Sequence, residues 1–306
     1  MAEPFADRLI HRTRALGHPL CVGFDPHLGL LPPLFRRGSM APGDQETAEA
    51  VADFCLAMLD RVAGRVACIK PQSAFFEALG WRGIEVLDRV MRAARERDLL
   101  VILDAKRGDV GSTAEGYAAA YLSADAPLRA DALTVNPYLG GDSLEPFLMA
   151  AEKSGAGLFV LVKTSNPGSG DLQDREAQGQ PIHAHVAAQL AAAAPRLAGP
   201  ATGWSGVGAV VGATYPEEAR QARERMPSNL LLVPGFGAQG AGPDAAVAAF
   251  SAGPDGVLEG GVVNSSRGVL FPDAANLSDA KAWEREIDDA LAAAITALAK
   301  AVAARP

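Results

Sequence analysis

A chain of 306 residues, 49% hydrophobic and 21% charged, is long enough to bury a large core and has the composition of an ordinary globular protein. Its formal net charge of −8 speaks against a nucleic-acid or acidic-membrane partner, so an anionic small molecule would need a local cationic pocket. Cys21, Cys55 and Cys68 lack C-x-x-C spacing and read as buried free thiols; with no signal-peptide pattern and no apolar stretch of membrane length, the expected location is the cytoplasm.

One pattern recurs along the chain: a short apolar run rich in branched residues, ending abruptly in polar residues, Gly or Pro. Leu20-Cys21-Val22-Gly23-Phe24 runs into Asp25-Pro26-His27, and a long polar connection, 29 to 44, follows. Asp44 is a candidate cap for a helix striped by Val51, Phe54, Cys55, Met58, Leu59 and Val62. Val66-Ala67-Cys68-Ile69 ends in Lys70-Pro71-Gln72, before a second stripe of Ile84, Leu87, Met91 and Ala94. Val101 to Leu103 leads into Asp104-Ala105-Lys106-Arg107-Gly108-Asp109, and Ala132 to Val135 ends in Asn136-Pro137. Leu158 to Val162 ends in Lys163, a site-facing cation to which the sequence assigns no role. The connection over 165–181 has the glycine content of a lid.

Val207 to Val211, Leu230 to Val233 and Gly256-Val257-Leu258 complete eight strands, with Pro216-Glu217-Glu218 as a helix first turn. A final helix over 278–304 is capped by Ser278 and striped by Trp283, Ile287, Leu291, Ile295, Leu298 and Val302. Eight strand-helix units predict a single (β/α)8 barrel of the TIM type spanning residues 1–306, with no second catalytic domain. An open, doubly wound sheet is the alternative, because periodicity does not report closure.

In such a barrel the chemistry sits at the C-terminal ends of the strands. The side-chain period of two puts Leu100, Ile102, Asp104 and Lys106 on one face, and leaves Asp109 in the loop beyond. An ion desolvated without a partner costs several kcal/mol, roughly, so Asp104 and Lys106 should be paired, either as a structural plug or as catalytic groups.

Asp104-x-Lys106-x-x-Asp109-Val110-x-x-Thr113 resembles the signature of the orotidine 5′-phosphate decarboxylase family in its longer bacterial form. The resemblance extends through Gly23-Phe24-Asp25-Pro26, Ile69-Lys70-Pro71-Gln72, Thr134 to Tyr138, Thr164 to Gly168, Pro234 to Gly240 and Asn264 to Gly268. It implies a cofactor-independent conversion of orotidine 5′-phosphate to UMP by an alternating network of Lys70, Asp104, Lys106 and Asp109. Lys106 would be the proton donor to C6, and Asp104 would lie beside the departing carboxylate. The resemblance also implies a homodimer with shared sites, in which Asp109 and Thr113 reach the partner's site. Asp25 would bind ribose hydroxyls, Ser165 the pyrimidine and Gln239 the phosphate side. Read without the resemblance, Asp25 is an Asp-Pro turn initiator, Lys70 a surface lysine at a strand end and Thr113 a helix cap.

The phosphate end also follows from barrel geometry, since the loops after the last two strands commonly bind phosphate. Here they are Gly235 to Gly240 and Asn264 to Gly268, with Arg267 as the bidentate cation. His183 and His185 are two apart on a predicted helix, which is poor ligand geometry, and His11, His18 and His27 lack spaced partners. Neither a metal nor an organic cofactor is expected. The competing functions are a magnesium-dependent sugar-phosphate decarboxylase or aldolase of the same barrel superfamily, with Asp104 as ligand, and a nucleotide-binding barrel without turnover.

Overall fold

The computed structural model describes residues 3–237, 240–272 and 278–303. Eight parallel strands close into a barrel: β1 (Leu20–Phe24), β2 (Cys68–Pro71), β3 (Leu100–Arg107), β4 (Ala132–Val135), β5 (Gly157–Lys163), β6 (Ser205–Val211), β7 (Asn229–Val233) and β8 (Gly261–Ser265). Each strand pairs with its neighbours in sequence, and β1 closes the ring against β8, with Leu20 opposite Val263 and Cys21 opposite Asn264. That pairing excludes the open sheet.

Alternation along the strands divides the apolar residues between two cores. Cys21, Cys68, Leu100, Ile102, Ala132, Phe159 and Val262 fill the barrel interior. Val22, Ile69, Val101, Leu103, Leu133 and Val160 point outward, under the surrounding helices. Burying one such side chain contributes roughly 1.5–3 kcal/mol, so a slip of one residue in any strand would turn an entire apolar set to the wrong side.

The longer helices are α1 (Phe5–Leu16), α2 (Gln45–Val62), α3 (Trp81–Glu96), α4 (Gly111–Tyr121), α5 (Glu145–Ser154), α6 (Ile182–Ala193), α7 (Pro216–Arg225) and α8 (Ala280–Val302). Asp44 caps α2, its carboxylate accepting from Glu46 N, and all six residues of the predicted α2 stripe are buried. Helix α1 seals the N-terminal end of the barrel. Its Phe5, Ala6, Leu9 and Ile10 join the interior core, and Phe5 meets Phe159 edge to face at 6.0 Å. Asp7 accepts from Thr202 N and Thr202 Oγ1, and Arg8 pairs with Asp131 at 2.7 Å, which ties the plug to the strand-connecting loops.

Three expectations are corrected. The eighth strand is Gly261–Ser265; Leu258–Glu259 instead forms a small antiparallel ladder with Ser251–Ala252, because a two-residue apolar run can join either neighbour. The cap of α8 is Asp279, whose carboxylate accepts from Ala282 N at 2.8 Å, and not Ser278. Strand β2 starts and ends later than its apolar run, and takes in Lys70, because that lysine is neutralised inside the barrel. The 165–181 connection folds into a helical turn, Pro167–Asp171, and a ladder of Glu176–Ala177 with Gln180–Pro181. Among the described residues no helix is long and apolar enough to cross a membrane.

Candidate active site

A cavity of about 680 Å³ opens at the C-terminal ends of the strands. Asp25, Lys70, Asp104, Lys106, Ser165 and Arg267 all line it, contributed by β2, β3 and the segments after β1, β5 and β8. Gln239 lies outside the described residues. Asp109 and Thr113 do not line the cavity of their own barrel. Asp109 Oδ1 accepts from Val110 N at 2.8 Å, and Thr113 is exposed on α4. Thr113 is not the cap of that helix, which begins after Val110 without a side-chain cap.

The centre of the site is the buried carboxylate of Asp104. Its Oδ2 accepts from Lys70 Nζ at 2.8 Å and Gln72 Nε2 at 3.0 Å, and its Oδ1 accepts from Lys106 Nζ at 2.6 Å and Thr134 Oγ1 at 2.9 Å. Four donors occupy the four acceptor positions a carboxylate offers. Burial alone would raise the Asp104 pKa, but the charges of Lys70 and Lys106 outweigh it and hold the carboxyl well below its usual range. Burial likewise opposes the Lys70 ammonium, while Asp104 and Asp25 outweigh it and raise Lys70 above an ordinary lysine.

Lys106 is held differently. Its backbone is left-handed, φ +47°, a region that costs a side-chain-bearing residue about 1–2 kcal/mol. The β3–β4 register shifts there: four steps along β3, Leu103 to Arg107, match two along β4, Leu133 to Val135. Lys106 N donates to Thr134 Oγ1 at 2.9 Å instead of a ladder carbonyl. The irregularity re-aims the side chain, so that Lys106, 44% exposed, stands between Asp104 and the open cavity.

On the far wall, Arg267 opens a helical turn after β8, next to Ser266 and across from Gly235 and Phe236. Gly23 permits this crowding, since a Cβ there would collide with Ser266 Oγ and come within 2.9 Å of Asn264 Oδ1. Between the walls, Asp25 Oδ1 and Asn264 Oδ1 are buried acceptors without a hydrogen-bond partner among the described residues.

Thr134, Gln72 and His27, to which no role is assigned from the sequence, also line the cavity, as does Asn264 of the expected phosphate loop. Thr134 and Gln72 carried one available signal, as polar residues at or just beyond a strand end in phase with Asp104. Lys163 does not reach the cavity; it is buried beside Asp174. His183 and His185 are separated as expected: His183 packs near Asp174, and His185 Nε2 contacts Ala177 O at 2.7 Å.

Residues 18–270 match the family described as Orotidine 5′-phosphate decarboxylase / HUMPS. The chain belongs to this family. An orotidine 5′-phosphate decarboxylase of Rhodopirellula baltica is 46% identical over 294 residues, 95% of this chain and 96% of the relative. One from Streptomyces coelicolor is 42% identical, covering 91% and 94%. The solved OMP decarboxylase of Leishmania donovani superposes with a TM-score of 0.70 at 33% identity, covering 96% of this chain and 99% of that one. The matched segment takes in all eight barrel strands and the charged cluster around Asp104.

Proposed function

We propose that this barrel is a cofactor-independent carboxy-lyase converting orotidine 5′-phosphate to UMP, the last step of UMP biosynthesis, with Lys106 as the proton donor. The observation that carries the assignment of roles is the saturated Asp104 carboxylate, which fixes one ammonium behind it and presents a second to the cavity. As the bond from C6 to the carboxylate carbon breaks, its electron pair stays on C6 and CO2 departs. A cation held beside that carbon stabilises the developing charge without reorganising, then transfers its proton to C6. Lys106 recovers a proton from solvent, to which it is partly open.

Arg267 and the loops after β7 and β8 bind the phosphate, Asp25 accepts from ribose hydroxyls, and Ser165 faces the base. Lys70 positions Asp104 from below. Asp109 and Thr113 serve the site of a second subunit in a homodimer. Supporting that arrangement, Val110, Tyr138 and Leu139 are exposed apolar side chains on the β3 and β4 loops around Asp109.

The magnesium-dependent alternative fits poorly, because both Asp104 oxygens already accept from ammonium groups and a divalent cation would have to displace Lys70 or Lys106. The test is release of CO2 from orotidine 5′-phosphate in excess EDTA. Turnover that disappears on chelation favours the metal enzyme, and UMP binding without any CO2 release favours the binding protein.

A further inference from the structure

Strand β5 ends in a cation that the proposed reaction leaves unused. Lys163 is 1% exposed, and its Nζ lies 2.7 Å from both carboxylate oxygens of Asp174 and 3.1 Å from Ser169 Oγ. The same Nζ sits 4.5 Å from the centroid of the Tyr215 ring. The next residue is paired with the residue before Asp174: Thr164 N donates to Gln173 Oε1 at 2.9 Å, and Gln173 Nε2 donates to Thr164 Oγ1 at 2.8 Å. Residues 163 and 164 are thus stitched to 174 and 173 by side chains, in antiparallel register. The return segment is anchored in turn to the first turn of α6, where His183 N donates to Gln173 O at 3.0 Å.

This stitch frames a wall of the cavity. Thr164, Ser165, Asn166 and Gln173 line it, and Thr164 Oγ1 also donates to Asn166 Oδ1 at 2.6 Å. Behind the wall, Gly212 lies so close that a Cβ would come within 2.9 Å of Ser165 Cα, so glycine there lets Ser165 pack against the end of β6. The wall follows directly on β5, beside the β3 and β4 residues Lys106 and Thr134, and across the ring from Arg267 after β8.

We propose that Lys163 and Asp174 are positioning residues that hold the Thr164–Asn166 wall against the base of the bound nucleotide. An ammonium this deeply buried demands its carboxylate, because separating the pair would leave Lys163 desolvated with only a hydroxyl and an aromatic ring. The loop is therefore held over the cavity by the cost of exposing β5, and not by contacts with ligand alone. The inference rests on the nucleotide reading above, which places the base beside Lys106 and the phosphate at Arg267.

The experiment compares two probes by calorimetry, UMP and ribose 5-phosphate, which share the sugar phosphate and differ by the base. Wild type is set against Lys163→Met, Asp174→Ala and Gln173→Ala, the last altering a half-buried side chain outside the barrel strands. Each variant is expected to bind UMP roughly tenfold more weakly while ribose 5-phosphate changes by less than about twofold. Equal losses for both ligands would make the stitch a general support of the pocket and overturn the proposal, as would unchanged UMP affinity in Gln173→Ala and Asp174→Ala. A wild-type protein that binds neither probe refutes the nucleotide reading itself, and this inference with it.

Discussion

Lys106 Nζ lies 2.6 Å from Asp104 Oδ1 although the two residues are alternate positions of one strand, and the contact exists because β3 turns left-handed at Lys106. In a regular strand, side chains two apart stand roughly parallel and splay with the twist. Here the backbone distortion converts that into a charge-assisted hydrogen bond and leaves the lysine facing the cavity. The distortion is held by Thr134, whose Oγ1 accepts from Lys106 N and donates to Asp104 Oδ1.

Thr134→Val, which removes both bonds and keeps the shape, should therefore lower kcat by roughly tenfold or more, with KM changed much less. Steady-state kinetics on orotidine 5′-phosphate decide this. An unaltered kcat would mean that Asp104 alone orients the lysine.

Lys106→Ala removes both the proton donor and the cation beside C6. Proton transfer and electrostatic stabilisation each contribute on the order of a hundredfold or more, so kcat should fall by at least about 10⁴. UMP should still bind in calorimetry, since the phosphate and ribose contacts remain. Near-normal turnover in this variant removes Lys106 from its role.

Arg267→Ala should raise KM and, where phosphate binding energy is used to complete the closed site, lower kcat on the full nucleotide as well. Unchanged kinetics would locate the phosphate elsewhere on the rim.

The depressed Asp104 carboxyl makes part of the stability pH-dependent. A group whose folded pKa lies below its unfolded value, about 3.9 for Asp, contributes stability that is full above that value and is lost as pH falls through the folded one. Lys70, raised in the fold, behaves oppositely: its contribution is full below about 10.4 and is lost only as pH rises beyond it. Between these limits the pair is fully charged in both states. The Tm difference between wild type and Asp104→Asn should thus shift in disfavour of wild type below about pH 4. A difference that stays constant down to pH 3 would show that Asp104 titrates normally.

Shared sites can be tested by mixing inactive Lys106→Ala with inactive Asp109→Ala subunits. A heterodimer then carries one site with both defects and one with neither. With free exchange about half the dimers are mixed, so activity should return to about a quarter of wild type. Demonstrated exchange without recovery would assign Asp109 to its own barrel.

Much of this was legible in the sequence where one physical signal dominates. That Leu100, Ile102 and Asp104 share a face of β3 followed from alternation alone, and barrel closure makes that face the interior. The eighth strand was not legible, because Val257-Leu258 and Val262-Val263 are equivalent apolar pairs and tertiary pairing decides between them. Lys163 had no readable role because its partner, Asp174, is brought back by an irregular turn that carries no periodicity. Gln72 and Thr134 were hidden for a different reason. A single polar residue at a strand end is consistent with solvent exposure until the barrel closes and aims it at Asp104.

Helix α1 stops the far end of the barrel with Phe5, Leu9 and Ile10, packed on the same apolar layer that lies beneath Lys70 and Asp104. The barrel is therefore a flask and not a pipe. On the proposed function, carbon dioxide and UMP leave by the rim through which the next substrate enters, so product departure and substrate arrival exclude one another, and UMP competes with substrate as a consequence of topology before any question of affinity arises.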